Sequence, residues 1–145
     1  MKIKKLNEYL VNTVHQHDYM LTEMARINDK KTFNYDVFVR GGPAYGSGRK
    51  EHGEPHFHFS DNIENPDKFS FSILIPTELE WKQNKELYIT ETITDYNWSG
   101  FRKEKKELTI WLDQQNKWDK NKTNLQFIIL QWNVLNADNK NVRQI

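Results

Sequence analysis

Cysteine is absent from the 145 residues. That single absence removes disulfide frameworks, Cys-ligated zinc, iron–sulfur sites and thiol nucleophiles, and it fits a reducing compartment. An excess of one charge is missing as well: 21 basic and 20 acidic residues leave a formal net charge of +1. A chain so balanced offers no strong electrostatic footprint for nucleic acid. No run of about 18 apolar residues exists, so no transmembrane helix is expected. The opening MKIKKLNEYL lacks the apolar core of a secretory signal. Together these absences predict a cytoplasmic protein without a membrane partner. Two catalytic signatures are also missing. There is no G-x-S-x-G elbow, and Gly46-Ser47-Gly48 lacks both its strand-to-helix setting and the G-K-[ST] ending of a phosphate-binding loop.

What the chain has is aromatic weight: 13% Phe, Trp and Tyr, with five Trp. This argues for a packed core and against disorder. The length suits one domain able to bury roughly 70% of its unfolded surface without a metal or disulfide staple.

Hydrophobic periodicity divides the chain into three parts. Leu6, Leu10, Val14, Leu21, Met24 and Ile27 recur at helical spacing and predict a helix over 3–28. Its two histidines, His15 and His17, stand about 200° apart on such a helix and cannot share a ligand unless the helix breaks between Val14 and Leu21, where the apolar pattern thins. Asn28 to Lys31 reads as a turn. Three alternating segments then predict strands at 33–40, 56–60 and 69–75, with Phe33, Tyr35, Val37, Val39, Phe57, Phe59, Phe69, Phe71, Ile73 and Ile75 as one apolar wall. The opposite face would carry Asn34, Asp36, Arg40, His56, His58, Ser60, Ser70 and Ser72. Gly41 to Pro55 holds five Gly and two Pro and reads as a long loop, the kind that often carries function. Leu87–Ile93 reads as a fourth strand, with a helix as the other option.

The last third reads as two helices. Ser99 is the candidate cap of the first, which carries Phe101, Leu108, Trp111 and Leu112; Thr123 is the candidate cap of the second, which carries Leu125, Ile128, Ile129, Trp132 and Leu135. The tail after Ala137 is expected to fray. The fold class is therefore α+β: a single domain over 1–145, built as a two-layer sandwich. A mainly antiparallel sheet of about three to five strands over 33–95 packs against an N-terminal helix (1–30) and C-terminal helices (99–137).

Chemistry concentrates in Gly48-Arg49-Lys50-Glu51-His52-Gly53-Glu54-Pro55-His56-Phe57-His58, which holds three of the five histidines. On a strand, His56 and His58 leave the same face about 7 Å apart at the backbone. Two such imidazoles can converge on a metal ion or a phosphate. His52, brought back by the Gly-Glu-Pro turn, is the candidate third metal ligand, with the Glu54 carboxylate as its alternative. Three protein ligands make the open count of a catalytic divalent metal such as zinc. Arg40 and Arg49, with Lys50, are candidates to neutralise an anion, and Asp36 or Glu54 to orient an imidazole. The competing reading makes the Gly-Glu-Pro segment a plain turn and the histidines ordinary residues of a half-exposed strand.

The segment Lys50-Glu51-His52-Gly53-Glu54-Pro55-His56-Phe57-His58-Phe59 resembles the signature of a family of small bacterial domains. That signature runs acidic residue, His, two variable positions, Pro-His-x-His and an apolar residue. The resemblance implies a recurring strand-starting module closed by a Trp-containing helix, found in toxin–antitoxin-like pairs or on mobile elements, with no activity assigned. Glu54 stands where many members have Pro.

Two functions follow as expectations. The first is a small binding module of a mobile-element, toxin–antitoxin or defence-related system, whose His-rich site engages a protein partner or a small anionic ligand. Trp81, Trp98 or Trp118 would anchor a partner if exposed, whereas core positions are the simpler expectation for each. The second is a metal- or His-dependent hydrolase of a phosphodiester.

Overall fold

The computed structural model describes residues 24–41, 43–44, 49–50, 54–90, 98–137 and 143–145. Its architecture is α+β: an open antiparallel sheet with helices packed against it. The sheet is built from β1 (Met24–Arg26), β2 (Asp36–Arg40), β5 (His56–Ser60) and β6 (Ser70–Leu74), adjacent in that order. Two further short strands, β3 (Pro43–Ala44) and β4 (Arg49–Lys50), pair with each other. The helices are α1 (Glu78–Asn84), α2 (Arg102–Leu112) and α3 (Asn124–Leu135).

Register explains why alternation was a sound guide to the sheet. Val37 faces Phe59, and Phe59 faces Phe71; Ala25 faces Val39, and Phe57 faces Ile73. All of these side chains leave the same face and are buried. The helices close the core with Leu108, Trp111, Leu112, Leu125, Ile128 and Trp132. Aromatic contacts join the layers: Phe33 stacks on Trp111 with ring centroids 4.7 Å apart, and Phe71 meets Trp98 at 5.0 Å.

Several expectations need correction. The helix predicted over 3–28 has residues 1–23 outside the described residues. Its described end, Met24–Arg26, is the edge strand β1, because Ala25 and Ile27 are drawn onto the core face by pairing with β2. The strand predicted to begin at Phe33 begins at Asp36. Residues 33–35 instead bend, held by Asn28, whose side-chain amide donates to the carbonyls of Phe33 and Tyr35 at 3.1 and 2.8 Å. The Gly41–Pro55 segment is not wholly irregular, since Pro43 and Ala44 pair with Lys50 and Arg49. Gly41 itself is required by packing: a Cβ there would lie 2.3 Å from Leu135 Cβ and 2.5 Å from its carbonyl oxygen.

Of the fourth predicted strand, only a bridge between Ile73 and Ile89 forms among the described residues. It is flanked by bonds from Leu74 N–H to Tyr88 and from Thr90 N–H to Ser72; residues 91–93 lie outside the described residues. Helix α1 was not anticipated, although its capping box is written in the sequence: Thr77 accepts from the Glu80 N–H, and Glu80 accepts from the Thr77 N–H. Ser99 lies in a 3₁₀ turn (Trp98–Gly100), and α2 starts after Phe101 with no side-chain cap. Thr123 caps α3 as expected, in a reciprocal box with Gln126. Of the tail expected to fray, residues 138–142 lie outside the described residues; at its described end Ile145 packs on the core, and its backbone exchanges bonds with the Asn133 side chain. Among the described residues no helix is long and apolar enough to cross a membrane.

Candidate functional site

The second face of the sheet is less wet than its sequence suggests. The row Arg26, Phe38, His58, Ser72 crosses the four strands side by side. Phe38 is only 4% exposed, and its ring stacks on His58 with centroids 4.8 Å apart and planes 13° apart. His56 and His58 follow alternation onto this face, half-buried, while Phe57 and Phe59 are sealed in the core. The two imidazoles meet edge to face at 5.1 Å. His56 also lies 5.3 Å from the buried Trp132 of α3.

The ring nitrogens are held by defined partners. His56 Nδ1 lies 2.9 Å from the Glu54 carbonyl oxygen. As the hydrogen-bond donor in that pair, Nδ1 fixes the tautomer and ring angle. His58 Nδ1 lies 3.4 Å from Ser72 Oγ on the neighbouring strand. Arg40 is exposed at the end of β2 and holds its guanidinium 5.3 Å above the Phe38 ring. The Arg40 carbonyl accepts from Asn136 Nδ2 at 3.2 Å, which ties this end of the strand to the end of α3.

The remaining candidates divide. Asp36 is on the histidine face as expected, but it is 2% exposed and structural in its contacts. It pairs with Arg26 at 3.0 Å and Lys30 at 3.7 Å and accepts from the Ile63 N–H at 2.6 Å. Glu54 is exposed and pairs with Arg143 near the chain end. Arg49 and Lys50 form β4; their side chains, and all of His52, lie outside the described residues. The structure thus brings together His56, His58 and Arg40. Among the described residues no cluster of three or more His, Asp or Glu is placed to hold a metal ion.

Sequence reasoning missed Phe38 as a member of this cluster. Its position opposite His58 is a matter of strand register, which the spacing between β2 and β5 does not encode. The three tryptophans considered as anchors are not exposed. Trp81 is buried and donates to Asp113 at 2.8 Å, Trp98 donates to the Leu87 carbonyl, and Trp118 packs on Phe127. Comparison of this chain with family models, curated proteins and solved structures finds no match.

Proposed function

We propose that the chain is a binding module whose recognition surface is centred on Arg40, His56 and His58 and takes an anionic group. The observation that carries this reading is the paired imidazoles 5.1 Å apart, at the end of the sheet where Arg40 is exposed. The acids that could orient catalysis are engaged elsewhere, Asp36 by Arg26 and Glu54 by Arg143. Stacking on Phe38 and the bond from His56 to the Glu54 carbonyl pre-set the ring positions, which lowers the ordering cost of binding. The likeness of the His-rich signature to domains from toxin–antitoxin-like or mobile-element loci agrees with a protein that acts by occupying a partner or ligand.

A phosphodiester hydrolase is the second reading. It draws on the same held imidazole, since a ring fixed through Nδ1 is the arrangement an acid–base histidine uses.

Native mass spectrometry of protein purified from its own host separates the two. The binding reading expects an anionic ligand retained on the chain and lost from folded Arg40→Ala and His56→Ala/His58→Ala variants, with no metal. Stoichiometric metal by elemental analysis that disappears in His56→Ala would favour the hydrolase and overturn the first reading.

A further inference from the structure

Past Arg26 the β1 backbone runs on through Ile27, whose N–H donates to the Val37 carbonyl at 2.9 Å. This is the end of the sheet away from His56. Here Asn28, the end of α2 and the start of α3 surround a cavity of about 240 Å³.

Its walls are fixed by buried carboxamides. Asn28 Nδ2 donates to the carbonyls of Asp29, Phe33 and Tyr35, and its Oδ1 accepts from the Val37 N–H. Asn116 Nδ2 donates to the Ile27 carbonyl at 3.2 Å and to Asn124 Oδ1 at 2.9 Å, and its Oδ1 accepts from the N–H groups of Trp118 and Asp119. Asn124 Nδ2 donates to the Trp111 carbonyl at 2.7 Å. The loop between α2 and α3 closes on itself through the Asn116 N–H to Lys122 carbonyl bond and the Gln115–Thr123 bridge. A network so fully satisfied is rigid.

The charged residues that line the cavity are of one sign. Lys117, Lys120 and Gln114 line the cavity, and no carboxylate does. Asp119, which stands between the lysines in sequence, is turned to Lys122 at 3.8 Å and to the Asn121 N–H. Among the described residues no carboxylate lies within ion-pair distance of Lys117 or Lys120.

Two exposed lysines at a concavity that no carboxylate lines favour an anion, and a rigid wall keeps the cost of ordering low. We propose that this cavity is a second binding site, for a small oxyanion bearing a phosphoryl or carboxylate group. Its volume falls below the range of about 300–1,000 Å³ usual for drug-sized ligands, so the ligand is small. The site is independent of the imidazole face.

The test is calorimetric titration of the full chain with inorganic phosphate and, separately, with acetate at constant ionic strength. Saturable binding is expected, weakened about tenfold or more in Lys117→Gln/Lys120→Gln, because the substitutions remove both positive charges lining the cavity. The saturable component that this variant removes is expected to persist in Lys103→Gln/Lys106→Gln, which removes two exposed lysines of α2, and to persist in His56→Ala/His58→Ala even where that variant loses a second component of its own. The tighter of the two anions identifies the ligand as phosphoryl or carboxylate. Absence of saturable binding, or an equal loss in the α2 control, overturns the site. Loss confined to the histidine variant also overturns it, by assigning the anion to the imidazole face.

Discussion

Truncating the two faces of β5 separately should have very different costs. Phe57 and Phe59 are both 0% exposed, so replacing either with Ala removes a buried ring and leaves a cavity, at about 3–5 kcal/mol. Phe59 also contacts three other rings, Phe33 at 6.2 Å, Tyr35 at 5.2 Å and Phe69 at 5.0 Å. Such pairs add about 0.5–1.5 kcal/mol beyond area. Phe59→Ala is therefore expected at or above the top of that range, and Phe57→Ala within it. The double change His56→Ala/His58→Ala removes half-buried rings whose contacts include the stack on Phe38. Its expected cost is about 1–2 kcal/mol.

The measurement is guanidinium denaturation followed by tryptophan fluorescence, with m-values compared to confirm that one transition is being read. Total stability for a domain of this size is about 5–15 kcal/mol, so Phe59→Ala can leave too little folded protein to measure. Phe59→Leu keeps most of the volume and should still cost more than Phe57→Leu. A double-histidine variant less stable than either Phe→Ala variant would refute the assignment of faces. The imidazoles would then be structural groups, and a recognition surface centred on them would lose its basis.

Three further outcomes are expected. Gly41→Ala should destabilise by about 1–3 kcal/mol in the same assay, because the new methyl would fall 2.5 Å from a backbone oxygen that a side-chain rotation cannot move; a change under about 0.5 kcal/mol would mean that α3 yields freely at Leu135. For Asp61, burial pushes its carboxyl upward from the ordinary 3.8, but backbone N–H groups of Lys68 and Asp67 outweigh this and hold it below that value. Its contribution is therefore present above about pH 4 and lost as pH falls through the lowered pKa, and Asp61→Asn should flatten the stability profile in that acid window. For Tyr35, burial and then the 2.5 Å bond to Glu107 raise the phenol pKa far above the ordinary 10.0. The neutral form is favoured in the fold, so this contribution is full below about pH 10 and declines as pH rises towards the raised pKa. In a spectrophotometric titration, Tyr35→Phe should remove phenolate signal only from the most alkaline part of the curve.

Local pattern and long-range geometry decided different parts of this protein. The alternation of His-Phe-His-Phe-Ser and Phe-Ser-Phe-Ser-Ile determines which side chains can share a face, because a strand's period of two leaves no other choice. The apolar spacing of α3 and its Thr123 cap are equally local and could be read directly. So could the closeness of His56 to His58, since both lie on one strand.

Tertiary structure decided the rest. Met24–Ile27 fits a helical stripe by spacing, yet becomes strand and strand extension because pairing with β2 satisfies its backbone while burying Ala25 and Ile27. Asp36 was rightly placed on the histidine face, but its fate depended on Arg26, ten residues upstream and brought beside it only by the β1–β2 pairing. Phe38 joined the histidines through register between strands. The amide network around Asn28, Asn116 and Asn124 joins segments far apart in the chain. Sequence carries the period of each element; which elements become neighbours, and in what register, is set by the burial and hydrogen bonding of the assembled chain.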